Sequence, residues 1–82
     1  MNKRKEPRTL GDAHEIAMEL RPAPKANPSA WLAFRQANAR MYETVADVDR
    51  GHHHEALYWA DFERRKAAEV SAAIQAAKSK TE

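Results

Sequence analysis

The sequence predicts an all-α protein, a small three-helix domain in which two long helices form an antiparallel hairpin and a short N-terminal helix packs across it. Three observations support this fold class. Apolar residues recur at spacings of three and four residues along most of the chain. Pro28 and Gly51 interrupt these patterns, and alanine, the strongest helix former, is abundant toward the C-terminus. A chain of 82 residues has room for one such domain.

The first helix is predicted over residues 10–21, within a helical domain of residues 9–77. One face carries apolar residues at spacings of three and four, namely Leu10, Ala13, Ala17 and Leu20. Thr9 is a suitable N-cap, and Asp12 stands three residues later in the capping-box position. Residues 1–8 are charged and show no periodicity, so we predict a disordered basic tail there.

The second helix is predicted over residues 28–47, after a proline-rich linker. Asn27 fits as the N-cap and Pro28 as the first helical residue. The apolar seam of this helix alternates spacings of three and four through Trp31, Phe34, Asn38, Met41, Val45 and Val48. Asn38 is its polar member, so Asn38 either is buried and fixes the register of helix pairing or lies at the edge of the interface.

The third helix is predicted over residues 51–77, after a turn near residues 47–51. Gly51 is expected to break the helix, and Asp49 is a good N-cap. The competing interpretation is one continuous, kinked helix from Pro28 to Ala77. The C-terminal half of the third helix is rich in alanine, which buries little area, so we expect it to need another helix or another chain against it. A second disordered tail is predicted over residues 78–82.

Three histidines in succession, His52, His53 and His54, lie at the predicted turn. Successive helical residues point about 100° apart, so three adjacent histidines cannot bind one ion while they are helical. We interpret them as structural groups in the first turn of the third helix, with His53 facing the second helix. Metal binding by these three histidines is the least favoured of three functions, and we expect no cofactor.

The basic residues are concentrated at the ends of the chain. The formal net charge is +2, yet residues 9–77 hold eight basic and ten acidic side chains. An alternative function is a nucleic-acid-binding accessory or regulatory protein. Its phosphate contacts would come from the basic tail and a short cluster in the third helix, namely Lys3, Arg4, Lys5, Arg64, Arg65 and Lys66. Asp61, four residues before Arg65, favours a solvent-exposed ion pair instead.

Composition disfavours several function classes. The chain has no cysteine, which removes the cysteine nucleophile and the cysteine zinc site, and its two glycines cannot form a phosphate-binding loop. We therefore predict that the protein is not an enzyme. No apolar run approaches the roughly 20 residues that span a bilayer, and no apolar stretch follows the basic N-terminus. We expect a cytoplasmic protein with no membrane partner.

The segment from Val45 to Ala60 resembles part of a group of short uncharacterised helical proteins from actinomycetes. Its centre reads Arg50-Gly51-His52-His53-His54-Glu55-Ala56-Leu57-Tyr58-Trp59-Ala60. The stretches Thr9-Leu10-Gly11-Asp12-Ala13-His14 and Trp31-Leu32-Ala33-Phe34 are similar as well. This resemblance implies a bacterial cytoplasmic protein. It implies no activity and no functional residues.

Six aromatic rings are more than two helices of this size easily hide, so we expect one or two to remain partly exposed. Tryptophan and tyrosine are enriched in protein interfaces. We therefore predict a non-enzymatic adaptor or regulatory protein that acts through helix–helix contacts, as a homodimer or on a larger protein. The predicted partner-binding residues are Trp31, Phe34, Asn38, Trp59, Phe62 and Ala67.

Overall fold

A computed structural model of the protein describes residues 6–81. It contains three α-helices, α1 (Leu10–Leu20), α2 (Pro28–Val48) and α3 (His53–Thr81), with a 3₁₀ turn (Arg50–His52) between α2 and α3. The predicted all-α fold with an antiparallel α2–α3 hairpin is confirmed. The basic tail of residues 1–5 lies outside the described residues. Within residues 6–81, none of the helices combines the length and the apolar character needed to cross a membrane.

The start of α1 follows the predicted cap. The Thr9 hydroxyl accepts a hydrogen bond from the Asp12 amide at 3.0 Å, which satisfies one of the free amides of the first turn. The Asp12 carboxylate accepts from the Arg8 amide at 3.1 Å, one residue before the cap that a regular capping box would contact. The helix ends at Leu20, where Arg21 becomes extended ahead of Pro22.

The start of α2 differs from the prediction in one detail. Asn27 occupies the N-cap position, but its side chain makes no capping hydrogen bond. Its backbone carbonyl accepts from the amides of Ala30 and Trp31 instead, at 2.9 and 3.3 Å. Pro28 is the first helical residue and has no N–H that needs a partner, so the helix begins without a side-chain cap.

The turn between α2 and α3 confirms two separate helices and excludes one continuous helix. Asp49 ends α2 with φ −99° and ψ 76°. Gly51 lies in the 3₁₀ turn that separates the two helices, but it has no positive φ and a Cβ on it would meet no atom within 4 Å, so neither conformation nor space requires glycine there. Asp49 does not cap the third helix with its side chain either, since the 3₁₀ turn has no side-chain capping bond.

The core lies at the end of the hairpin beside this turn, which we call the closed end. Residues from all three helices form it: Leu10, Ala13, Tyr42, Val45, Ala46, Ala56 and Ala60, with Met41 and Trp59 packed against them. Val45 and the alanines at 46, 56 and 60 are 0 % exposed, because small side chains let α2 and α3 approach closely. The large apolar residues and α1 are thus gathered at one end.

The helix α3 is longer than predicted. It continues to Thr81, so the predicted disordered tail is wrong for residues 78–81, and Glu82 lies outside the described residues. Alanine favours helix, and lysines in the last turn interact well with the helix dipole, so the helix has no reason to end at Ala77. α3 has 29 residues and α2 has 21, which corresponds to lengths of about 44 and 32 Å.

Candidate interaction surface

Each of the three consecutive histidines contacts a different group at the closed end. The His53 Nδ1–H donates to the Ala46 carbonyl at 2.7 Å, which confirms that His53 faces α2 and satisfies a carbonyl of its last turn. His52 Nδ1 lies 2.9 Å from the Asp49 carboxylate, and the His54 ring packs edge-on against His53. The histidines therefore hold the turn together.

Asp49 joins α1 to the turn. Its Oδ2 atom accepts from the Leu10 amide at 2.8 Å, and Leu10 is the first residue of α1, where backbone amides lack helical partners. The Leu10 hydrogen bond, and after it the His52 hydrogen bond, hold the pKa of Asp49 below its ordinary value. The sequence suggested Asp49 as a cap for the third helix. Its actual partner is 39 residues away, so no local pattern indicates it.

The metal-binding alternative finds no site in the described part of the chain. His52, His53 and His54 are committed to different contacts. Across residues 6–80, whose side chains are described, no group of three or more ligating side chains comes together in a way that could hold an ion. A protein metal site needs three or four convergent ligands, and the Nδ1 atoms of His52 and His53 face different acceptors, the Asp49 carboxylate and the Ala46 carbonyl.

An aromatic cluster fixes α1 to the hairpin. His14 Nδ1 lies 2.8 Å from the Tyr42 hydroxyl, and the His14 ring packs edge-on against Trp59 with centroids 5.3 Å apart. The Phe62 ring packs edge-on against Trp59, also with centroids 5.3 Å apart. Burial, and then the nearby charge of Glu63, raise the pKa of Tyr42 to about 12. Trp59 therefore spends much of its surface on contacts within the chain.

A buried polar layer crosses the middle of the hairpin. Arg35 donates to the Glu63 carboxylate at 3.0 Å, and the two side chains are only 15 % and 7 % exposed. Asn38 is 3 % exposed, which decides between its two predicted positions in favour of burial. Its Nδ2 atom has no hydrogen-bond partner among the described residues, although a buried unpaired donor is costly.

Three of the six predicted partner-binding residues are not available at the surface. Phe34, Asn38 and Ala67 are buried in the contact between α2 and α3. The physical reason is that the seam of α2 packs on α3 of the same chain, and one seam cannot serve two helices at once. Their assignment to a surface that binds another protein is therefore wrong, because all three are buried within the hairpin of α2 and α3.

The other three predicted partner-binding residues remain partly exposed. Trp31, Trp59 and Phe62 are half-buried. The guanidinium groups of Arg21 and Arg35 lie 5.1 and 5.5 Å from the Trp31 ring, so much of this indole is covered by cations of the same chain. These three side chains therefore offer only part of their surface to another molecule.

The basic cluster of α3 is neutralised by carboxylates. Arg64 pairs with Glu43, Arg65 pairs with Asp61, and Lys66 lies 3.6 Å from Glu69. A phosphate would have to compete with these carboxylates for each cation. The remaining residues of the nucleic-acid alternative, Lys3, Arg4 and Lys5, lie outside the described residues. The described part of the chain therefore gives this alternative no free basic face on α3.

Several large apolar side chains are exposed that the predicted surface did not include. They are Met18, Leu20, Val48, Leu57 and Tyr58, and Met18 is the most exposed at 77 %. Tyr58 fulfils the expectation that one or two rings remain outside. Single exposed apolar residues are normal on protein surfaces. They do not by themselves define a site.

An apolar groove lies at the other end of the hairpin, which we call the open end. It has a volume of about 450 Å³ and is lined by Pro28, Ser29, Ala73, Ile74, Ala77 and Lys78. Ile74 is half-buried, while Ala73 and Ala77 are exposed. The alanine-rich half of α3 is predicted to need another helix or another chain against it, yet the predicted partner-binding residues include only Ala67 from that half. The signal that indicates the groove is the length of α3, whose last turns extend past the first residue of α2 in the antiparallel hairpin.

Comparison of this chain with protein-family models, with curated proteins and with solved structures finds no match.

Proposed function

We propose that this protein is a non-enzymatic adaptor or regulatory protein of the cytoplasm that acts by helix–helix contacts with another protein surface. The observation that carries this proposal is the apolar groove at the open end, between the first turn of α2 and the last turns of α3. Concave apolar surfaces between helices are common binding sites, because they remove water from both partners on contact.

The distribution of packing supports the groove as the contact surface. The core residues gather at the closed end, where α1 covers the hairpin. At the open end, none of the residues from Ala68 to Lys80 is buried. Val70, Ile74, Ala73 and Ala77 would lose water-exposed apolar area when a partner helix docks, and burial of such area stabilises a complex.

The small side chains of the groove suit a helix as the partner. Ala73 and Ala77 are one turn apart on the same side of α3, so a partner backbone can approach closely there. Ile74 supplies a larger side chain to insert between partner residues, and Pro28 closes the groove on the α2 side. This surface replaces the buried part of the predicted one and keeps its alanine face.

Site-specific photocrosslinking tests the proposal. A photoreactive amino acid at position 77 in the groove should give a defined crosslinked protein species in cells of the source organism. The matched control carries the same group at position 68, an exposed alanine outside the groove. We expect the species at position 77, its absence at position 68, and its loss on adding Ile74→Glu. No crosslink at position 77, or the same products at both positions, contradicts the proposal.

A further inference from the structure

We propose that the partner at the open end is a second copy of this chain, docked antiparallel through the C-terminal turns of α3. This inference rests on the proposed function and names the partner of the same groove. In a two-fold symmetric dimer the same patch serves both copies, so each α3 lies over the groove of the other copy. Val70, Ala73, Ile74 and Ala77 then pack against α3 of the other copy.

The shape of the open end fits a second α3. The groove residues Ala73, Ile74 and Ala77 belong to α3 itself, and Pro28 and Ser29 mark where α2 begins beside them. α3 continues past this level to Thr81. A second α3 that runs antiparallel to the first runs parallel to α2, and it can lie between α2 and α3 along the groove. The α3 end that projects from one copy is thereby covered by the other.

Charge complementarity selects this arrangement. Glu69 and Lys80 are eleven residues apart, close to three full turns, so both lie on the same side of α3. An antiparallel pair related by a two-fold axis brings these same sides together. When the axis passes between Ile74 and Gln75, Glu69 of one copy is level with Lys80 of the second copy. The symmetry makes two such pairs.

Glu69 is free to change partner in this contact. Its side chain is 68 % exposed, and its contact with Lys66 at 3.6 Å is longer than the other ion pairs of α3. Lys80 is exposed as well. Exposed pairs contribute little energy, but they decide orientation because like charges in the same place repel. The apolar residues supply affinity, and the Glu69–Lys80 pairs supply the antiparallel register.

The size of the contact predicts a weak dimer. The overlap from Glu69 to Lys80 is about 18 Å long at 1.5 Å per residue. Such a contact is smaller than a standard interface, so we expect dissociation constants from about 10 µM to about 1 mM. The dimer should therefore form only at high protein concentration.

Sedimentation equilibrium of the full chain over this concentration range tests the inference by charge exchange. Lys80→Glu and Glu69→Lys should each weaken association about tenfold, because each places like charges together at both symmetric pairs. The double variant Glu69→Lys/Lys80→Glu should restore it to the original level. Arg50→Glu makes the same charge change as Lys80→Glu at the closed end and should leave association unchanged. Circular dichroism of each variant checks that the helices are intact.

The outcomes separate this inference from the proposed function. A monomer at every concentration overturns the second copy as partner, and so does self-association without rescue in the double variant. If position 77 still crosslinks a different protein, the proposed function stands while this inference fails. If the chain is monomeric and position 77 crosslinks nothing, both fail. Concentration-dependent dimers with charge rescue support both.

Discussion

The closed end and the open end of the hairpin are built from the same two helices, yet they are held together by different interactions. At the closed end, Val45, Ala46, Ala56 and Ala60 are fully buried, and α1 covers them. At the open end, no residue from Ala68 to Lys80 is buried. The difference indicates that the fold depends on the closed end, and we propose that the open end contacts a partner.

Between the two ends lies the polar layer of Arg35, Asn38 and Glu63. Asn38 and Glu63 are as buried as the core and Arg35 is half-buried, but one ion pair holds the layer, and the Asn38 amide nitrogen has no partner among the described residues. A buried ion pair with both partners present adds little stability, whereas loss of one partner is costly. The layer therefore makes the hairpin sensitive to single changes there.

The largest effect is expected from Arg35→Met. This change leaves the Glu63 carboxylate buried without its cation, so the free energy of unfolding should fall by about 3 kcal/mol. Urea denaturation measures it. The matched control is Arg64→Met, whose ion pair with Glu43 is about half exposed on both sides, and it should cost less than about 1 kcal/mol. Equal losses would mean that the polar layer behaves as ordinary surface.

The next largest effect on the free energy of unfolding is expected from a valine-to-alanine substitution, compared at the two ends of the hairpin. Val45→Ala removes methyl groups from a site that is 0 % exposed and should destabilise the protein by about 2 kcal/mol. Val70→Ala, at a half-buried site on the open half of α3, should cost less than about 1 kcal/mol. Both are measured by urea denaturation of dilute protein. A larger loss of stability for Val70→Ala than for Val45→Ala would contradict the conclusion that the closed end stabilises the fold.

The closed end also predicts a loss of stability in alkali. The pKa of Tyr42 is raised to about 12 in the folded protein, and it is about 10 in the unfolded chain. The folded state thus holds this proton more tightly, so its contribution is present below pH 10 and is lost as the pH rises toward 12. Thermal denaturation in this range should show a steeper loss for the parent than for Tyr42→Phe. Parallel curves would contradict the prediction.

Asp49 predicts the opposite pH dependence. Its pKa is lowered in the folded protein by the Leu10 amide and His52, so its contribution is present above the unfolded value of about 3.9 and is lost as the pH falls through the folded value. Asp49→Asn keeps an oxygen acceptor for Leu10 but does not titrate. We expect acid to reduce amide protection in α1 of the parent, and to reduce it less in Asp49→Asn. An identical acid response would show that Asp49 does not hold α1.

The smallest effect is expected at Gly51. Its backbone has no positive φ, and a Cβ there would meet no atom within 4 Å. Gly51→Ala should therefore leave stability unchanged or raise it by up to about 1 kcal/mol, because alanine restricts the unfolded chain. Denaturant midpoints measure this change. A clear loss of stability would show that the turn needs glycine after all.

The sequence was sufficient for the helices and insufficient for the long-range contacts. Spacings of three and four, the Thr9 cap and Pro28 placed α1, α2 and most of α3, since these signals act within a few residues. The capping of Leu10 by Asp49 and the His14–Tyr42 contact join residues 39 and 28 positions apart. No local pattern encodes such pairs.

Only part of the candidate site can be predicted from the sequence, because the identity of the helix that packs on a given face is also a long-range property. The alanine-rich face of α3 signalled an uncovered helix half, and the structure shows that it is uncovered. The seam of Phe34 and Asn38 was assigned to an external partner, although the partner of this seam is α3 of the same chain. Periodicity shows that a face will be buried, but it does not say which helix buries it.

Hydrogen exchange of the backbone amides at low and high protein concentration distinguishes the two ends of the hairpin. Residues 42–46 and 56–60 should be strongly protected at both concentrations, because they form the closed-end core. Residues 70–80 should exchange quickly in dilute solution and become protected at high concentration. Uniform protection along α3, or protection of residues 70–80 that does not change with concentration, would contradict the division between a stabilising closed end and an associating open end.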